Sequence, residues 1–215
     1  MATDYSAVGR KSKRKGASFE LKTAKALGAW WEDEFQRTPA SGGLRWKSDN
    51  NVIGDIVASP SSRFPFVVEC KHREGNWTLE SLVIGKHEIK DWWAQVVEDG
   101  RRGHKTPLLM FTRNYAETFV MIPFKQEVYD TLVDKDLPVM RTHVKYTDKL
   151  SEVEERFDVL VTTLTGLTSF DKQYWIDNPM KDWDEQTRLS SPIEPKTEEE
   201  VVEDFSDILG KLKKI

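Results

Sequence analysis

Two apolar stretches joined by a turn constrain this chain more than any other feature. Residues 52–58 and 66–71 have the length and composition of β-strands, and residues 59–65, Ser-Pro-Ser-Ser-Arg-Phe-Pro, are turn formers. The pattern predicts a hairpin. If it is symmetric about Ser62, partner numbers sum to 124 and Asp55 stands opposite Glu69. Opposed side chains have Cβ atoms about 5 Å apart, and like charges there destabilise. Val67 and Val68 beside Glu69 mark the face as buried, so two carboxylates there call for a cation between them. Hard divalent ions such as Mg²⁺ take oxygen ligands of this kind. The ordinary alternative is a salt-bridged solvent face. Strand alternation points Lys71 the same way as Glu69 and turns Cys70 to the other side, as core filler.

Other elements surround this hairpin. Residues 18–31 have a helical pattern in which Glu20, Ala24, Leu27 and Trp31 share a face, setting a carboxylate on an apolar stripe. A solvated first-turn Glu is the plainer reading of Glu20. A helix is expected over 86–99, with Gln95 on it, followed by an apolar strand over 107–112 suited to a sheet interior. Beyond lie expected strands at 118–123, 139–146 and 158–164 and a helix at 125–133. Residues 171–200 have weak periodicity and suggest an irregular acidic wrap or linker. Val201, Val202, Phe205, Ile208, Leu209 and Leu212 fall at helical spacing, a terminal amphipathic helix. The expected division is a basic flexible arm at 1–16, a main domain at 17–170 whose motif-bearing core is 17–115, the linker or wrap at 171–196 and the helix at 197–215.

Composition removes several classes. With 38% hydrophobic residues among 215 the chain can bury a core. A lone cysteine excludes a disulfide scaffold and fits a reducing cytoplasm. No apolar run is long enough to span a bilayer. Net charge is −4, yet residues 1–115 carry 19 Lys and Arg against 14 Asp and Glu, while 116–215 carry 13 against 22. The first half is where a polyanion could dock. Arg10, Lys11, Lys13, Arg14 and Lys15 form a run suited to phosphate contacts. The four histidines lack metal-ligand spacing. Trp30, Trp31, Trp92 and Trp93 sit at helical positions, in a core or a dimer interface.

Glu20, Gly54-Asp55 and Glu69-Cys70-Lys71, in that order on helix, strand and strand, resemble the PD-(D/E)XK nuclease superfamily. The likeness is to its Holliday junction resolvase-like branch of archaea and phages, and it covers about residues 14–115. Gly54 stands where the superfamily's name has proline. The resemblance implies a three-layer αβα, restriction-endonuclease-like core with a mixed sheet, and metal-dependent phosphodiester hydrolysis on DNA. It implies Mg²⁺, with Mn²⁺ as substitute, held by Asp55, Glu69 and the carbonyl of Cys70. Glu20 would serve a second metal or its water, Lys71 would assist the nucleophile, and Gln95 would orient Lys71 or a water. Arg113 joins the basic run as a nucleic-acid contact, and Ser41, Gly42 and Gly43 could let backbone approach a phosphate.

The expected activity is resolution of branched DNA in recombination or repair, by a homodimer matching the two-fold symmetry of a four-way junction. It would take place in the cytoplasm, a phage host's if the source is viral. The terminal helix could pack at home or dock a replication or recombination protein. A restriction- or repair-type nuclease on the same fold remains open, as does a non-catalytic nucleic-acid adaptor.

Overall fold

The computed structural model describes residues 5–38, 53–74, 77–84, 88–148 and 151–189. Seven strands form one mixed sheet: β1 (Phe35–Arg37), β2 (Ile56–Ala58), β3 (Phe66–His72), β4 (Thr106–Thr112), β5 (Phe119–Pro123), β6 (Val139–Thr147) and β7 (Glu154–Thr163). Their order in space is β1-β2-β3-β4-β5-β7-β6. β3 and β4 run parallel, and the other ladders are antiparallel. A parallel pair needs a crossover, supplied here by α2 (Leu79–Ile84) and α3 (Ile89–Gly103). β4 is buried at every position, as a continuous apolar strand must be when both faces are covered.

The side chains of β3 show what covers each face. Cys70 hydrogen-bonds Thr23 of α1 (Tyr5–Trp31), and His72 packs edge-on against Phe19 of the same helix. Lys71, pointing the other way, reaches Gln95 of α3. Helices therefore lie on both faces of the sheet, in the expected three-layer αβα, restriction-endonuclease-like core. Packing depends heavily on aromatic rings, which prefer edge-to-face contact. Phe64 meets Trp30, Trp31, Phe35 and Phe66 in that way, and Trp77 meets Trp92 and Phe111. Trp31, Trp92 and Trp93 are buried, and Trp30 gives its indole N–H to the carbonyl of Phe170 at 2.8 Å. These four rings belong to one core, which removes the expected interface role.

Several expectations need correcting. α1 begins at Tyr5, so the basic run extends a helix instead of forming a flexible arm over 1–16. Lys, Arg and Ala are good helix formers, and lengthening an existing helix avoids a new nucleation step. The helix expected over 86–99 is α3, shifted toward its C-terminus and closed by left-handed His104, with Lys105 N–H donating to Gly100 O at 3.0 Å. β1, α2 and α5 (Leu164–Thr168) had no clear sequence signal, and β7 starts four residues before the strand expected at 158. α4 (Gln126–Asp134) falls where a helix was expected.

The domain does not close at residue 170. α6 (Lys172–Asp177) and α7 (Trp183–Thr187) wrap the sheet and bury Trp175 against Phe66 and Phe170, and Trp183 against Phe157. Arg101 of α3 pins this wrap, donating to Glu155 of β7 at 2.9 Å and to Asp184 of α7 at 3.0 Å. The amphipathic helix expected at 197–215 and residues 190–196 of the expected linker lie outside the described residues. Among those described, no helix is long and apolar enough to cross a membrane.

Candidate active site

The site forms where β3 outlasts its neighbour. β2 begins only at Ile56, paired with Val68 in the register that sums to 124. Asp55 therefore precedes the ladder and is not a cross-strand partner of Glu69 in the strict sense expected. Gly54 is the reason: its φ of +85° bends the chain, and a Cβ there would stand 2.6 Å from the carbonyl of Val68. The bend is held from both sides. Asp55 N–H donates to Val68 O at 2.8 Å, Thr38 N–H donates to Asp55 O at 2.8 Å, and the Thr38 hydroxyl donates to Gly54 O at 2.9 Å. The Asp55 carboxylate then turns along the edge of β3 and accepts the backbone N–H of Cys70 at 2.8 Å. In a strand, the N–H and C=O of one residue point to the same side, so the carbonyl of Cys70 faces Asp55 as well.

Glu69 is buried in the same strand, its side chain 4% exposed. Lys71 Nζ donates to Glu69 Oε1 at 2.5 Å and to Gln95 Oε1 at 2.9 Å. Glu20 lies near enough for its charge to act on Asp55, but its carboxylate is ion-paired with Arg37 of β1. The structure thus gathers Glu20, Asp55, Glu69, Lys71, Gln95 and the Cys70 backbone where β3 extends past the β2 ladder.

Electrostatics at this site are unbalanced. Burial raises the Asp55 carboxyl above its usual range, and the charge of Glu20 adds to that against the hydrogen bond from Cys70. Burial, and then the charge of Asp55, pushes Glu69 up to about 7. Asp99, also raised by burial, contributes negative field from α3 and is itself paired with Arg102 at 2.5 Å. With Glu20 and Asp99 each matched to an arginine, Asp55 and Glu69 share Lys71 between them. A buried and a half-buried carboxylate beside a backbone carbonyl suit a hard divalent cation. Among the described residues no three His, Cys, Asp or Glu side chains converge, so such an ion would rest on two carboxylates and main chain.

Sequence reasoning missed Arg37, Thr38 and Asp99. Asp99 had a signal, since it lies four residues after Gln95 on one helix face. Arg37 had none, because a three-residue strand leaves no pattern.

Of the expected nucleic-acid contacts, Arg14, Lys15 and Arg113 line one cleft of about 610 Å³ at the carboxyl ends of β3 and β4. Lys13 is exposed on α1. Arg10 and Lys11 lie on α1, but their side chains, like Ser41, Gly42 and Gly43, fall outside the described residues.

No curated protein and no solved structure matches the chain. A family model does, over residues 11–177, a span that takes in α1 from residue 11 on, the bend at Gly54, β3 and the strands beyond them through α6. The fold and that match agree, and the chain belongs to the family described as "Phage putative PDDEXK endonuclease".

Proposed function

We propose that the protein is a metal-dependent, structure-selective DNA endonuclease that hydrolyses phosphodiester bonds in branched DNA, such as Holliday junctions. One observation carries the reading: half-buried Asp55 and buried Glu69 meet beside the part of β3 that extends past the β2 ladder, both carboxyls are pushed up, and among the described residues Lys71 alone lies between them. An adaptor that only binds DNA has no use for two such carboxylates, which cost stability unless a cation joins them.

In this reading Asp55, Glu69 and the Cys70 carbonyl would hold Mg²⁺ or Mn²⁺. When bound, the ion supplies a Lewis acid for the phosphate and lowers the pKa of water. Lys71 sits where it can receive or stabilise charge on the attacking oxygen, and Gln95 fixes the direction of its ammonium. Glu20, held by Arg37, positions water from the α1 side. A homodimer would supply the two sites that a two-fold junction needs, through a surface other than the buried tryptophans. The cytoplasm, a host's where the chain is phage-borne, is the proposed setting.

Cleavage assays on a labelled four-way junction, a flap and a linear duplex test this directly. Cutting of branched DNA with Mg²⁺ that stops in EDTA is the expected result. Preference for linear duplex would instead favour a restriction- or repair-type nuclease, and binding without cutting under any metal would leave an adaptor.

A further inference from the structure

The cleft beside the candidate active site has a composition that metal chemistry does not require. Its cations are Arg14, Lys15 and Lys22 of α1 and Arg113 after β4; among the described residues no Asp or Glu lines it, and Glu74 at its edge pairs with Lys15 at 3.7 Å. In a chain of net charge −4, such a concentration attracts a polyanion. The cleft starts one residue from the site on two elements: His72 follows Lys71, and Phe19 precedes Glu20.

Tyr115 stands on its rim, fully exposed at 108%. Its φ of +61° is left-handed, a conformation that a bulky L residue adopts rarely. The turn that imposes it is well braced. Ala116 N–H donates to Arg113 O at 3.2 Å, and the hydroxyl of buried Thr112 lies 3.1–3.2 Å from the carbonyls of Arg113, Ala116 and Glu117. Asn114 N–H donates to Glu74 at 2.7 Å, its Oδ1 accepts from Lys15 at 3.1 Å, and the Arg113 guanidinium lies over Trp77, 5.7 Å from the ring centre. A strained backbone thus holds a large ring in water beside Arg14, Lys22 and Arg113, with Lys15 shared between Asn114 and Glu74. Aromatic rings next to a cationic groove are how proteins grip single-stranded nucleic acid, because every base has a face to stack while a duplex keeps its base faces covered.

We propose that this cleft binds the phosphates of a single-stranded DNA segment, with one unpaired base stacked on Tyr115. The proposal rests on the nuclease reading and sharpens its substrate: a flap, fork or opened branch carrying unpaired nucleotides next to the scissile phosphate. A fully paired four-way junction offers no free base to the ring.

The test compares an oligothymidylate with a duplex of equal length, by fluorescence anisotropy on the full chain in EDTA. Tyr115→Ala should weaken the oligothymidylate by roughly 5- to 150-fold, the loss of one stacked base, and so collapse its ratio to duplex. Tyr115→Trp should keep that ratio, which separates stacking from loss of the turn. Lys22→Glu should weaken both ligands together and flatten the salt dependence. An unchanged ratio in the alanine variant overturns the proposal, as does a wild type without preference for the oligothymidylate. Cleavage with Mg²⁺ is scored in parallel. Cutting with an unaltered ratio sinks the stacking site and leaves the nuclease standing, whereas a Tyr115-dependent ratio without cutting of any DNA does the reverse.

Discussion

α3 connects two groups of wholly or partly buried carboxylates that the fold treats in opposite ways. At one, Asp55 and Glu69 face a single lysine, and their carboxyls are pushed up. At the other, Glu155 and Asp184 meet Arg101 and Arg188, and the Tyr146 hydroxyl donates to Glu155 at 2.6 Å. Burial pushes Asp184 up there too, but hydrogen bonds from Arg101 and Arg188 outweigh it and hold the carboxyl below its usual range. Burial is common to both groups. What separates them among the described residues is the supply of cations: two arginines match the second group, and one lysine faces the two carboxylates of the first. A deficit of that kind works against stability and marks a place where an outside cation can bind.

Neutralising the deficient pair should have the largest effect. Asp55→Asn or Glu69→Gln is expected to abolish cleavage, leave DNA binding largely intact and, without metal, not lower the melting temperature. Single-turnover cleavage, anisotropy and thermal melts read the three together. A parallel loss of cutting, binding and stability would make the pair structural and erase the contrast with the second group.

Lys71→Ala comes next, with cleavage slowed by roughly 10²–10⁴, the contribution of a positioned proton-transfer or electrostatic group. Lys71→Arg should rescue poorly, since a planar fork cannot replace a compact ammonium between Glu69 and Gln95. A rate near wild type in Lys71→Ala would remove the lysine from the reaction.

Breaking the self-sufficient group should change stability, with little effect on rate. Arg101→Ala leaves Glu155 and Asp184 short of a partner, and urea unfolding should show a loss of roughly 3 kcal/mol. Cleavage at a temperature where the variant stays folded should change only a few-fold. A large drop in rate there would mean that the two groups are coupled through α3.

The smallest expected effect is the pH dependence of the metal-free protein. Glu69 binds its proton more tightly folded, at about 7, than unfolded, at the ordinary 4.5. Its contribution to stability is therefore full below the unfolded value, falls as pH rises between the two, and is flat above the folded one. Thermal melts across that window should show the slope in wild type and its loss in Glu69→Gln. Added Mg²⁺ should raise the melting temperature more at about pH 8 than at about pH 5.5. Equal shifts at both would detach the ion from Glu69.

The contrast between the two groups was only half legible in the sequence. Glu69 and Lys71 could be placed because strand alternation and a turn of known composition fix a register, and Ile56 indeed pairs with Val68. The path of Asp55 could not, because it depends on the φ of Gly54 and on a hydrogen bond to the Cys70 main chain. Strongly periodic elements such as α3 and β4 were visible, whereas β1 and α5 are too short to carry a period. The second group brings together residues 101, 146, 155, 184 and 188, and no local pattern relates an arginine to a carboxylate 83 positions away. Trp175 and Trp183 lay in a stretch without period, and tertiary packing alone makes them core.

α1 has a mechanical consequence. Its 27 residues form an unbroken rod about 40 Å long, and Arg14, Lys15, Lys22 and Glu20 all ride on it. Between Arg14 and Glu20 the axial rise is about 9 Å, fixed by the helix and not by any hinge. The distance from grip to cut is thus built into covalent geometry, and a tilt at one end displaces the other. One residue inserted between Lys15 and Glu20 would turn Arg14 and Lys15 by about 100° relative to Glu20 and Lys22, out of the cleft. The helix acts as a ruler, and its spacing can be changed only in whole turns.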